Sequence, residues 1–174
     1  MTKVSRRKAL QRMALAIWGG GYGLAYGEGA RWRPWSAQRP TPRLSLLDVD
    51  GAPWGLDQLA GKPVLLNFWA SWCEPCRAEM PTFVALQERF QDLGFKVAAV
   101  NFKESVETVR RFRDARPLPL VWLRDSYGEA AQAFGVRTFP GSVLINRQGR
   151  AVLLVEGEVD WGDPGNQQRL AAFL

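Results

Sequence analysis

An almost unbroken apolar run of strand length, PVLLNFWA at residues 63–70, leads straight to two cysteines, Cys73 and Cys76. Beyond it, from Glu74 to Asp92, Met80, Phe83, Val84, Leu86 and Phe90 recur at helical spacing. A run with so few polar positions fits a central strand covered on both faces, which requires helices on both sides of one sheet. Pro81 predicts a kink early in that helix, and Gly94 a stop after it. The same grammar continues along the chain. FKVAAVNF predicts a second buried strand, ESVETVRRFRDAR an amphipathic helix with Val106, Val109 and Phe112 on one face, and PLVWLRD a third strand. GEAAQAFGV reads as a short helix and GSVLINRQGRAVLLVEG as a hairpin turning at Arg147–Gly149. DPGNQQRLAAFL reads as a closing helix, with Asp163 as N-cap and Pro164 in its first turn. Upstream, LSLLDVDGAPWGLDQL predicts a hairpin at Asp50-Gly51 followed by a helical turn over Asp57–Ala60. The fold class expected is α/β: a mixed central β-sheet flanked by helices, with an N-terminal β-hairpin.

The folded domain is assigned to residues 44–174. Residues 1–27 read as an export signal or N-terminal anchor: Lys3, Arg6, Arg7, Lys8 and Arg12 precede a mild, glycine-rich apolar stretch. The pair Arg6-Arg7 before Leu10 looks like a twin-arginine signal, and Ala25-Tyr26-Gly27 offers a cleavage site. Either reading places the domain outside the cytoplasm. Residues 28–43 hold Pro34, Pro40 and Pro42 with four arginines and read as an extended linker outside the fold. The formal charge of +6 therefore sits at the N-terminus, because five basic residues and no acid fall within the first 27. A nucleic-acid partner is not indicated. Arg110, Arg111, Arg113 and Arg116 read as a solvated helix face.

Two cysteines cannot build a disulfide scaffold, and a bridge closing so short a loop adds little strength, so reactivity explains the pair better than stapling. A thiol attacks as its thiolate, and the start of a helix supplies unpaired amides and a positive dipole end to stabilise that anion. This placement makes Cys73 the exposed nucleophile and Cys76, one turn on, the shielded resolving thiol. Pro75 suits the first helical turn. Two inert buried thiols remain the plain alternative. The chain has no histidine and no second cysteine pair, which leaves a zinc site without ligands. A two-thiolate Cu(I) site is the one metal alternative, and Met80 is the only nearby methionine outside the N-terminal segment.

FWASWCEPC resembles the active site of the thioredoxin superfamily, and WCEPC that of its extracytoplasmic TlpA/ResA-like branch. LSLLDVDG, LDQLAGKPVLLNFWA, VAAVNFKES and GVRTFPGSVLINRQGR are similar to that branch in the same order, over the whole of residues 44–174. The resemblance implies a thioredoxin-like fold and a cis peptide bond at Pro140. It also implies that Phe139 pairs main chain to main chain with a client peptide. Glu79 falls where ResA-like proteins carry a glutamate near the thiols, and partial burial would tune it for proton transfer. Asn67 replaces the buried aspartate of many thioredoxins, so that proton acceptor is missing. Trp72, Glu74 and Pro75 complete the expected client-binding surface. Glu74 opposes the Cys73 thiolate and biases the couple towards reduction. Gly141-Ser142 stands where the branch more often has Thr-Thr.

The implied function is a thiol:disulfide oxidoreductase acting as a reductant of selected protein disulfides. Its clients would be apocytochrome c or a copper or haem assembly factor, and its electrons would come from a membrane thiol carrier. The protein is expected to be a monomer with no cofactor beyond the Cys73–Cys76 couple and no metal. The alternatives are a disulfide-forming oxidase and a Cu(I) metallochaperone. A peroxidase of the peroxiredoxin type is discounted because Ala70 stands where that chemistry wants threonine.

Overall fold

The computed structural model describes residues 29–174; the export-signal reading of residues 1–27 lies outside the described residues. Eight strands form one sheet in the order β1-β8-β7-β4-β5-β6-β2-β3. At its centre, β4 (Val64–Trp69), β5 (Lys96–Phe102) and β6 (Val121–Asp125) run parallel. Their connections carry α1 (Glu74–Glu79), α2 (Thr82–Arg89) and α3 (Val106–Ala115). On one side β7 (Gly141–Ile145) and β8 (Ala151–Glu156) add as an antiparallel hairpin. On the other, β2 (Ser45–Asp48) pairs antiparallel with β6 and with β3 (Pro53–Gly55). A 3-10 turn, Leu56–Leu59, follows β3. The short helix α4 (Glu129–Phe134) precedes β7, and α5 (Pro164–Ala171) closes the chain.

The two-sided burial expected of PVLLNFWA is complete: all six residues of β4 are buried. Alternation then divides the core. Leu65 and Trp69 join Val97, Ala99, Phe83, Leu86, Trp161 and Leu170 on one face. Val64, Leu66 and Phe68 join Ala98, Val100, Val143 and Phe134 on the other. Asn67 shares the face of Leu65 and Trp69, so its amide points at the helical layer that carries the cysteines. The kink expected at Pro81 separates α1 from α2, and Gly94 ends the following turn with φ 68°. Asp163 caps α5 by accepting from the Asn166 amide. Among the described residues no helix is long and apolar enough to cross a membrane.

One expectation requires correction. The linker assigned to residues 28–43 is not outside the fold, because Arg31–Pro34 forms the edge strand β1, antiparallel to β8. Its alternation is hidden by proline and arginine, yet each large side chain finds a partner. Trp32 packs 5.6 Å from Trp161 and beneath the Arg169 guanidinium, while Arg33 pairs with Glu156. Pro34 ends the strand at an edge, where proline removes no interior ladder bond. The face expected to be solvated is exposed at Arg110, Arg111 and Arg116, but it is not free of contacts. Arg110 donates to the Val49 carbonyl at 2.8 Å and Arg113 to Asp50 at 2.8 Å, fastening α3 to the hairpin turn. Arg116 lies over Phe112, and Arg111 is exposed.

If β1 belongs to the cooperative unit, Trp32→Ala should lower the urea-unfolding free energy by about 1–3 kcal/mol with an unchanged m-value. An unaltered midpoint would return residues 28–43 to the status of a linker.

Candidate active site

The strand-to-helix junction after β4 places Cys73 as the N-cap of α1, with φ and ψ still extended. Its carbonyl accepts from the Arg77 amide, and its Sγ accepts from the Cys76 amide at 3.3 Å. Cys73 and Cys76 form a disulfide of S–S length 2.05 Å. Pro75 falls in the first turn, where no amide hydrogen is required, and is exposed together with Glu74. The first-turn amide that meets Cys73 Sγ in the bridge is available to a Cys73 thiolate once the bridge opens.

The expected contrast between the cysteines holds in order but not in degree. Cys73 is 6% exposed and Cys76 1%, so in the disulfide form Cys73 is itself nearly covered. Trp72, by contrast, is 67% exposed and stands edge-on to Phe139 at 6.2 Å. Trp69 is wholly buried against Phe112 and Trp122, a packing residue.

The Phe139-Pro140 peptide bond is cis, as the resemblance implied. Pro140 is buried and its carbonyl accepts from the Gly157 amide. Among the described residues the Phe139 amide and carbonyl form no hydrogen bond, which leaves both for an incoming strand. Gly141 has a steric reason to stand where the branch more often has threonine. A Cβ there would lie 2.6 Å from Val136 Cγ1 and 2.9 Å from the Thr138 carbonyl oxygen, too close for any side chain.

Glu79 is the most strongly perturbed group. It is 2% exposed, so a solvated helix position is ruled out. Asn67 Nδ2 donates to its Oε1 at 2.7 Å, and the Val159 amide to its Oε2 at 3.0 Å. The same Nδ2 reaches Ser142 Oγ at 3.0 Å, across the register pair Asn67–Ser142 of β4 and β7. Burial pushes the Glu79 pKa from 4.5 up to about 8, with Glu158 adding repulsion; the Val159 amide, the Trp161 indole and Asn67 pull the other way. Burial wins. Among the described residues the Trp161 indole nitrogen has no hydrogen-bond partner of normal geometry. A neutral carboxyl must also donate, and Asn67 Oδ1 is a buried acceptor without a partner. Turning the Asn67 amide over presents that oxygen to the Glu79 hydroxyl. Asn67 is thus not an empty place in a proton path but the direct partner of Glu79.

A second carboxylate escaped the sequence reading. Glu104, in the loop after β5, accepts from the Ser71 amide at 2.7 Å, the Ser71 hydroxyl at 2.5 Å and Asn101 Nδ2 at 2.7 Å. It ties the loop that carries Trp72 and Cys73 to the end of β5. The acidic residue in NFKES, immediately after a strand, was the only signal for it.

Because Glu79 holds its proton to about pH 8 in the folded chain and to 4.5 unfolded, the folded state binds more protons between those values. The Glu79 contribution to stability is therefore greatest below the lower value and falls as pH rises through the window, by up to about 1.4 kcal/mol per unit. Glu79→Gln, which mimics the neutral acid, should flatten that decline in urea titrations of the oxidised protein. Parallel pH profiles for the two proteins would show that Glu79 ionises normally.

The AhpC/TSA family model matches residues 37–152. The chain is 34% identical over 116 residues to the thiol-disulfide oxidoreductase ResA of Bacillus subtilis, covering 67% of this chain and 65% of that protein. It is 31% identical over 120 residues to ResA of Bacillus thuringiensis subsp. konkukian, covering 69% of each. The crystal structure of a candidate thiol:disulfide interchange protein DsbE from Chlorobium tepidum superposes with TM-score 0.66 at 30% identity. That superposition covers 76% of this chain and 91% of the other. The chain belongs to the AhpC/TSA family, as a thioredoxin-like relative of the ResA thiol-disulfide oxidoreductases.

Proposed function

We propose that the protein is an extracytoplasmic reductant of selected protein disulfides that cycles through Cys73 and Cys76. The observation that carries this reading is the helix-capping disulfide with a buried, proton-holding Glu79 on the turn that follows it. In the reduced protein the Cys73 thiolate attacks one sulfur of a client disulfide; that bond breaks, a mixed disulfide forms and the first client thiolate leaves. Cys76 then gives its proton to Glu79 and attacks Cys73 Sγ, releasing the second client thiolate. Two electrons pass to the client, and the protein is left oxidised with Glu79 protonated. A pKa of about 8 in the disulfide form suits a group that has just received a proton at neutral pH. A membrane dithiol carrier reverses the sequence: its first thiolate attacks Cys73 Sγ, Cys76 leaves as thiolate and takes the proton from Glu79, and the carrier's second thiolate then displaces Cys73, leaving the carrier as disulfide and Cys73 as thiolate.

Glu74 favours this direction over disulfide formation. It lies exposed beside Cys73, where its negative charge disfavours the thiolate, raises the energy of the reduced form and so makes the couple the stronger reductant. The twin-arginine-like segment supports the extracytoplasmic assignment, and clients needing free thiols there include the haem-binding cysteines of apocytochrome c. A peroxidase reading finds no support at position 70, where Ala70 is fully buried.

Cys76→Ser, expressed with its N-terminal segment and isolated after acid quenching, should carry covalently trapped proteins through Cys73, while Cys73→Ser/Cys76→Ser should carry none. Trapping mainly through Cys76 in a Cys73→Ser variant would invert the assignment. The reduction potential should fall near about −270 mV, and a value near about −120 mV would mark an oxidase instead.

A further inference from the structure

Beside the cis-proline loop lies an open groove with a volume of about 510 Å³ that no catalytic step uses. Its floor is aromatic. Phe139 is packed between Trp72 and Phe102, with ring centres 6.2 and 4.7 Å away, and Tyr127 stands on the rim at 80% exposure. Its charge is of one sign: Lys103 and Arg137 line it, and no acid does. Among the described residues neither cation forms an ion pair. Glu104, the residue after Lys103, is committed to Ser71 and Asn101. Asp125 accepts from the Ala130 and Ala131 amides, and Glu129 lines a different cleft with Arg43.

Lys103 is built into place. It alone among the described non-glycine residues has a positive φ, 56°, a conformation that costs a side-chain-bearing residue energy. Its ammonium lies 5.0 Å from the centre of the Phe102 ring, and its stem passes over Gly128, where a Cβ would collide with Lys103 Cε. The cation is therefore within about 10 Å of the Phe139 ring, or about three residues of extended chain.

We propose that this groove is the specificity subsite of the redox site. It takes an extended client segment with an acidic residue within about three positions of the reactive cysteine, beside an apolar or aromatic residue. The proposal rests on the redox reading above. A segment pairing with the free Phe139 backbone groups runs over Phe102, buries its apolar side chain on the aromatic floor and sets its carboxylate between Lys103 and Arg137.

The test uses the reduced protein and synthetic peptides whose single cysteine is held as a mixed disulfide with thionitrobenzoate. The peptides differ only in carrying Asp-Phe or Lys-Phe beside that cysteine, and release of the coloured thiolate gives the exchange rate. The expected preference for the acidic peptide is about fivefold, the worth of two exposed ion pairs. Lys103→Gln/Arg137→Gln should bring the ratio close to one. Lys103→Arg should keep it, as should Arg111→Gln on the exposed side of α3. Equal rates in the wild type, or a ratio that survives in the double variant, would overturn the subsite while exchange itself persists. Absence of exchange with either peptide would overturn the redox reading and the subsite with it.

Discussion

The active end of this molecule is organised around one buried carboxyl. Glu79 sits one helical turn beyond Cys76 and accepts from Asn67 on β4 and from the Val159 amide in the segment after β8. Asn67 in turn reaches Ser142 on β7, the strand that begins next to the cis-proline. Glu79 and its partner Asn67 thus join α1, β4, β7 and the approach to α5. Burying an ionised carboxylate there would be very costly, so the site resolves the conflict by holding the proton to about pH 8. That resolution links structure to chemistry. The group that pins these elements together is held neutral by its burial in the disulfide form, the state that the proposed proton relay calls for.

A second brace stands on the other side of the cysteines. Glu104 takes three hydrogen bonds from Ser71 and Asn101, which fixes the loop from which Trp72 projects. The exposed ring of Trp72 stands against Phe139, whose own ring meets Phe102 with the Lys103 ammonium over it. Cys73, Cys76 and Glu79 are buried, while Trp72, Tyr127 and Lys103 are exposed.

Much of this was legible in the sequence, because it follows from local rules. The β4 run, the Pro81 kink, the Gly94 stop and the Asp163 cap are each set by the residues on the spot. The roles suggested for Cys73, Cys76 and Glu79 came from a motif at a strand-to-helix junction. What escaped were features set by partners far along the chain. Arg31–Pro34 lacks strand alternation and is held by β8, Trp161 and Arg169 instead. Arg110 and Arg113 are pinned by a hairpin some sixty residues earlier. Asn67 read as a loss when compared with an aspartate, since its partner Glu79 is revealed only by the packing of α1 on β4. Glu104 stood in a family-like segment, VAAVNFKES, but its partners Ser71 and Asn101 are brought to it only by the fold.

The central claim is that Glu79 is protonated at neutral pH when Cys73 and Cys76 are bridged. It is tested most directly by following the Glu79 carboxyl carbon by NMR in the oxidised, selectively labelled protein through a pH titration. The account predicts a single midpoint close to 8 for that carboxyl. A midpoint near the ordinary glutamate value of about 4.3 would contradict it, leaving the site without a proton store.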